Sequence, residues 1–228
     1  MEDAVLAMRE PVVLAWSGGK DSCLALDALR RGGEYEVLAL LANVVEDEER
    51  LQMHRVPREL IARQAEALGV PLHEVRVPRN PSNEQYESRL SGALRGYFRQ
   101  GVRRVAFGDL FLEDIRRYRE ASLAKLGMRG LYPIWGRETG ALARSFVDAG
   151  FRALVVCVDL RALDRSFAGR VIDHEFLREL PAGVDPCGEN GEFHTFVFDG
   201  PIFARPVSFV RAGLSDDPPF AFCELRPS

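Results

Sequence analysis

Val12-Val13-Leu14-Ala15-Trp16-Ser17-Gly18-Gly19-Lys20-Asp21-Ser22 is the stretch on which the fold turns. An apolar run of strand length meets a turn with two adjacent glycines, and Cys23 to Leu29 then reads as a helix. Strand, glycine turn and helix present backbone N–H groups and a helix N-terminus to an anion, above all a phosphate. The glycines permit positive φ and a close approach of the anion to the backbone. Lys20 adds a fixed positive charge, and Ser17 and Ser22 add hydroxyl donors. The plainer alternative is a strand-to-helix turn capped by Ser17 or Asp21, with Asp21 matching the helix dipole.

Outward from this stretch the chain alternates strands and helices. Strands are expected at Pro11 to Trp16, Glu36 to Val44, Pro71 to Val77, Val102 to Phe107 and, briefly, Leu131 to Trp135. Helices are expected at Ser22 to Arg31, Pro57 to Leu68, Ser82 to Arg99 (capped by Ser82 or Asn83) and Leu112 to Leu126. Glu46 to Arg50 reads as a solvated loop. This alternation predicts an α/β fold, a Rossmann-like doubly wound parallel sheet, with ligands at the carboxyl ends of the strands. Both the Ser17 loop and Gly108-Asp109 fall at that edge.

After Gly136 the pattern loosens, which divides the chain into 1–136, the part that carries the glycine loop, and 137–228, a smaller α+β lobe. Thr139 to Ala149 and Asp173 to Leu180 read as helices and Ala153 to Asp159 as a strand. Phe193 to Phe198 and Ile202 to Val210 read as a hairpin about Asp199-Gly200. Such an exposed pair would suit a homodimer, and Ser215 to Pro219 reads as a turn-rich surface segment.

The chain has 228 residues, 46% of them hydrophobic, and a net charge of −4. This allows a sizeable core and offers no global basic signature for nucleic acid. The four cysteines, Cys23, Cys157, Cys187 and Cys223, form no Cys-x-x-Cys pair, which speaks against structural zinc and redox chemistry. Glu2 and Asp3 are acidic and no long apolar run follows, so no secretion signal or membrane span is expected and a cytoplasmic setting is inferred.

The second informative stretch is Asp185-Pro186-Cys187-Gly188-Glu189-Asn190-Gly191-Glu192-Phe193-His194-Thr195. Two glutamates, an amide, a histidine and a threonine lie on a loop running into a strand, where a rigid scaffold can aim them. A surface turn before an edge strand is the alternative. His194, taken near its unperturbed pKa, could transfer a proton. Arg116 and Glu120, four apart on one helix, form a surface ion pair on the simplest reading.

Ser17 to Ser22 is not a Walker A loop, which needs four residues between its first glycine and the Gly-Lys pair. It resembles the PP-loop of the N-type ATP pyrophosphatases. The chain as a whole is similar to the diphthine–ammonia ligase family of PP-loop enzymes, in its short form. The resemblance rests on Ser17 to Ser22, His54-x-x-Pro57, Gln64 to Leu72, Gly108, Arg116 with Glu120, Leu131 to Gly136, and Gly188 to Thr195. Asn190 and His194 stand where the archaeal and eukaryotic pattern has Gly and Glu, and Asp109 where it commonly has Ala, so this chain looks like the bacterial branch.

The resemblance implies an AMP-forming ligase that uses ATP and Mg²⁺. A carboxylate-bearing acceptor attacks the α-phosphate, and ammonia or another small amine then displaces AMP. Ser17, Gly18, Gly19, Lys20, Asp21, Ser22, Gly108 and Asp109 would bind ATP, with Asp21 or Asp109 placing the metal. Lys20, Glu189, Glu192 and His194 would be catalytic, and His54, Arg116, Glu120, Asn190 and Thr195 would contact substrate. Two rivals stand beside this reading. A PP-loop tRNA sulfur transferase would want paired catalytic cysteines, and a nucleotide sensor would bind ATP or AMP without turnover.

Overall fold

The computed structural model describes residues 9–228; Glu2 and Asp3 lie outside the described residues. Strand β1 (Glu10–Ala15) is the centre of a mostly parallel sheet. It pairs with β2 (Tyr35–Val45) on one side and β5 (Arg104–Ala106) on the other. β4 (Leu72–Val77) lies beyond β2, and β6 (Arg129–Leu131) beyond β5, all parallel. A short β3 (Arg50–Leu51) runs antiparallel beside the end of β2, where an irregular loop was expected. Val12, Val13 and Leu14 are each 0% exposed. Alternate side chains of β1 enter different cores, as the period of a strand requires. Val12 and Leu14 join α1 (Lys20–Gly32) and α2 (Arg58–Leu68), and Val13 joins Leu94 of α3 (Asn83–Arg99) and Leu123 of α4 (Glu113–Ala124).

Helices therefore cover both faces, and the sheet is doubly wound as predicted. Its strand order reverses between β1 and β5. The carboxyl ends of these two strands open the crevice where ligands bind in such sheets, and the loops after them are Ser17–Gly19 and Gly108–Asp109. Gly108 packs against the start of α1, so close that an added Cβ would lie 2.7 Å from the Asp21 carbonyl carbon and oxygen. Ser82 forms the expected cap of α3, accepting from the Gln85 N–H while the Gln85 side chain accepts from the Ser82 N–H.

The second part is a four-stranded antiparallel sheet, β8-β7-β10-β9, preceded by α5 (Thr139–Asp148) and crossed by α6 (His174–Glu179). Its strands are β7 (Arg152–Asp159), β8 (Phe193–Asp199), β9 (Phe209–Asp217) and β10 (Phe220–Pro227).

Three expectations are corrected here. The fifth parallel strand ends at Leu131, where it was expected to begin, and Tyr132 to Gly136 form the turn after it. Phe193 to Phe198 does not hairpin with Ile202 to Val210: β8 pairs with β7 instead. The hairpin is β9–β10, with Pro218-Pro219 at its turn, so Ser215 to Asp217 belong to a strand. No helix among the described residues is long and apolar enough to cross a membrane.

Gly108→Ala should destabilise the protein by about 1–3 kcal/mol, because its methyl meets backbone rather than a movable side chain. A urea or thermal melt checks this, and an unchanged midpoint would refute the tight α1–β5 packing.

Candidate functional site

The loop after β1 is held from below by one amide side chain. Gln64 on α2 is fully buried. Its Oε1 accepts from Trp16 Nε1 at 2.8 Å, and its Nε2 donates to the carbonyl oxygens of Gly18 at 2.9 Å and Val197 at 2.6 Å. The Val197 N–H also donates to the Gly18 carbonyl, at 2.9 Å. Gly18 has φ +73°, and an added Cβ would lie 2.7 Å from Ile61 Cδ1. Gly19 is the N-cap of α1 and has no side chain to cap it. The Ser17 hydroxyl accepts from the Gly19 N–H at 3.2 Å and lies 3.3 Å from the Ser22 hydroxyl, which donates to the Gly19 carbonyl at 2.9 Å.

Lys20 is 2% exposed. Its backbone N–H donates to Thr195 Oγ1 at 3.0 Å, and its Nζ bonds both Asp21 oxygens, at 2.8 and 2.9 Å, and the Cys187 carbonyl. Burial alone would lower its pKa, but Asp21, with help from Glu189, outweighs that and holds the ammonium charged. Thus the glycine loop and the Cys187-to-Thr195 segment, far apart in sequence, are one structure.

Across a cleft of about 330 Å³ stands Glu189. Its Oε1 accepts from the Leu110 N–H at 2.7 Å. Burial pushes its pKa up to about 7, with Asp21 and Asp109 adding like charge. Asp109 pairs with Arg119, whose Nε lies 2.8 Å from Asp109 Oδ2.

Glu192 is placed differently from its expected catalytic position. It is 7% exposed and holds its own loop together, accepting from the N–H groups of Asp185 and Asn190 and from the Asn190 amide, each at 3.0 Å. Asn190 is thereby tied to Glu192 rather than aimed at the cleft.

The His54 and His194 rings meet at a tilt of 33°, centroids 4.7 Å apart, on the wall of the cleft. His54 Nδ1 lies 3.1 Å from the Thr195 carbonyl, which can only accept, so Nδ1 carries the proton and Nε2 is free as an acceptor. Burial lowers the His194 pKa to about 4, assisted by Lys20, and the His54 pKa to about 3, assisted by His194. His194 therefore does not titrate near its unperturbed value; both rings are neutral at pH 7.

Arg116 and Glu120 do not pair with each other. The Arg116 guanidinium lies over the Trp135 and Tyr132 rings at 4.6 and 4.9 Å, and Glu120 accepts from the Gly130 N–H at 3.3 Å. Neither lines the cleft. Cys187 is buried, with its thiol pushed up to about 12 by burial.

Sequence reasoning passed over two residues of the site, Gln64 and Arg119. Gln64 carried a usable signal: it is the polar member of an otherwise apolar stripe with Leu60, Ile61, Ala65 and Leu68, and a buried amide needs partners. Arg119 carried none beyond its charge.

With this geometry in view, the comparisons are direct. The profile described as diphthamide synthase N-terminal domain matches residues 9–130, and that of the C-terminal domain matches residues 138–215. A Danio rerio diphthine–ammonia ligase is 30% identical over 212 residues, covering 84% of this chain and 83% of the relative. The Homo sapiens protein of the same name is 28% identical over 213 residues, covering 84% and 79%. A longer Schizosaccharomyces pombe protein, also so named, is 26% identical over 230 residues, covering 92% of this chain but 38% of its own length.

Gln64→Leu, close in size, leaves the Trp16 indole, the Gly18 carbonyl and the Val197 carbonyl short of a partner. It should cost roughly 2–4 kcal/mol of stability. Chemical denaturation measures this, and a cost under about 1 kcal/mol would mean that Gln64 does not brace the loop.

Proposed function

The chain belongs to the diphthamide synthase family, and on that premise we propose that it is an ATP-dependent, AMP-forming ligase that adenylates a carboxylate and amidates it with ammonia. The observation that carries this reading is the docking of the Cys187-to-Thr195 segment onto the glycine loop through Lys20 and Thr195. It puts a phosphate cradle and a second set of polar groups in one cleft, as a two-step transfer requires.

In the first step an acceptor carboxylate oxygen attacks the α-phosphorus, and the bond to the β-phosphate bridging oxygen breaks. The α1 N-terminus and Lys20 stabilise the charge that develops on the departing pyrophosphate. Then ammonia attacks the acyl carbon, the bond to AMP breaks and one proton leaves the nitrogen. Glu189, with a pKa near 7, is suited to take that proton or one from an arriving ammonium. The free Nε2 of His54 is a second acceptor within the same wall. Glu192 acts as a positioning residue, keeping Glu189 on its loop.

Mg²⁺ would be held chiefly by the phosphates of ATP. Among the described residues no three His, Cys, Asp or Glu side chains form a metal cage. Asp21 and Asp109 both face the cleft, which suits an ion that takes one or two carboxylates with phosphate oxygens and water. The working division is ATP on 1–136 and the remaining chemistry on 137–228.

The sulfur-transfer alternative is disfavoured by the cysteines: all four are buried, and their thiol pKa values are raised by burial. Thiolate, the nucleophile such chemistry needs, is scarce there.

Incubation with ATP, Mg²⁺, ammonium and an acceptor should release AMP and pyrophosphate, separable from ADP by chromatography; ADP as product would overturn the reading. Lys20→Ala should lower pyrophosphate release by roughly 10²–10³-fold or more. The rate of amide formation should rise with pH through about 7, as Glu189 loses its proton. Measured at a fixed concentration of free ammonia, so that the ammonium equilibrium adds no slope of its own, that limb should vanish in Glu189→Gln. A limb that survives in Glu189→Gln would assign the base elsewhere.

A further inference from the structure

The cleft has an outer mouth of about 390 Å³. Trp16, Ser17, Asn43, His54, Tyr86 and His194 line both spaces, so the mouth opens directly onto the glycine loop and the two histidines. Its outer rim adds Gln52, Met53, Pro81 and Asn83. These come from two loops, residues 46–57 before α2 and 78–82 before α3, and from the first residue of α3. Among the described residues four other than glycine have positive φ: Glu49, Met53, Arg55 and Asn80, at +50°, +67°, +52° and +51°. All four lie on these two loops. Such conformations persist only where the surroundings fix them, and they gather at ligand clamps. Here ion pairs tie the loops down. Glu48 with Arg79 joins one loop to the other, and Arg50 with Glu224, 2.7 Å, and Arg55 with Asp217 join the first loop to β10 and β9. Met53 is thereby held 59% exposed at the mouth, an apolar side chain with nothing over it.

The lining is selective by charge. No Asp or Glu among the described residues lines the mouth. Its guanidinium, Arg119, is already paired with Asp109, Nη2 to Oδ1 at 3.1 Å and Nε to Oδ2 at 2.8 Å. The two imidazoles on its wall are neutral at pH 7. What remains is hydrogen-bonding capacity without charge. Gln52 and Asn83 bring side-chain amides to the rim, and Asn43 gives Nδ2 to the Tyr86 hydroxyl at 3.1 Å while its oxygen stays an acceptor. Three amides offer donors and acceptors together, which is the complement of another amide. A cation finds no carboxylate here to replace its lost water, and a second carboxylate finds no free cation.

We propose that this mouth is the acceptor subsite, and that the acceptor is a small acid whose carboxylate passes the two histidines into the cleft while an uncharged, amide-bearing body stays against Gln52, Asn83 and Met53. The proposal rests on the ligase reading and gives it a substrate class. One carboxylate oxygen forms the bond to the α-phosphorus as pyrophosphate leaves. Ammonia then forms the bond to the acyl carbon as AMP leaves, and no bond of the body changes.

The test uses 4-acetamidobutanoate and 4-trimethylammoniobutanoate, which share a chain and differ in ending on a neutral amide or a cation, with hexanoate as the apolar comparison. Each is incubated with ATP, Mg²⁺ and ammonium at low ionic strength, and AMP release gives kcat/KM. The acetamido acid should be favoured by roughly tenfold or more over the other two. Gln52→Glu keeps the size of its side chain, and Asn83→Asp puts an acid in the first turn of α3, where the helix dipole favours it, so both variants should fold. Each should move the ratio of the two charged-end acids toward the trimethylammonio acid by roughly fivefold, with the KM for ATP unchanged. Added salt should shrink that shift. A wild-type preference for the trimethylammonio acid or hexanoate, or a ratio that neither variant moves, would overturn the subsite and leave the ligase reading standing. If no acid yields AMP, the ligase reading falls, and calorimetry with α,β-methylene-ATP present decides the mouth. Saturable binding of 4-acetamidobutanoate that Gln52→Glu weakens supports it; absence of saturable binding, or binding that Gln52→Glu leaves unaltered, overturns it.

Discussion

The Gly18 carbonyl oxygen is the point on which this structure depends. It accepts from the Gln64 side chain and from the Val197 N–H, both at 2.9 Å. One donor comes from a helix of the parallel sheet, the other from the antiparallel sheet. A glycine at positive φ turns that oxygen inward, leaving the other side of the loop for an anion. The phosphate cradle is thus shaped by residues 46 and 179 positions away, and neither half of the chain builds it alone. Thr195 repeats the logic, its hydroxyl accepting from Lys20 and its carbonyl from His54.

Charge is distributed by the same economy. Lys20 is buried, yet Asp21 and backbone oxygens keep it an ammonium. Asp21, Asp109 and Glu189 face one cleft, and their mutual repulsion, added to burial, leaves Glu189 balanced between protonated and ionised near neutrality. The same cation helps hold His194 neutral. A site that must first tolerate a polyphosphate and then move protons gains from having one fixed cation, one carboxyl poised near pH 7 and two imidazoles held neutral there.

The parallel half was legible because each of its signals is local. Apolar strands, glycine stops and the Ser82 cap announce themselves within a few residues. The antiparallel half was not. Asp199-Gly200 has the composition of a hairpin, but the Asp199 side chain turns back to the Gly200 N–H at 2.9 Å, and the Val207 N–H closes the loop onto Phe198 instead. Phe209–Asp217 has little apolar alternation because most of it is exposed, so nothing in its composition marks a strand. In the site, the cradle residues follow from the motif, but Glu192 does not. A glutamate that saturates its own loop and one that faces substrate look alike until the backbone N–H groups around them are placed.

His194 brings these points together. In the pattern this chain resembles, a glutamate occupies that position. A carboxylate there would join Asp21, Asp109 and Glu189 on the lining of the cleft and deepen its negative field. A neutral imidazole adds no such charge and instead packs against the His54 ring. The field that remains is less suited to attracting a cationic acceptor and less opposed to receiving a carboxylate anion next to a phosphate.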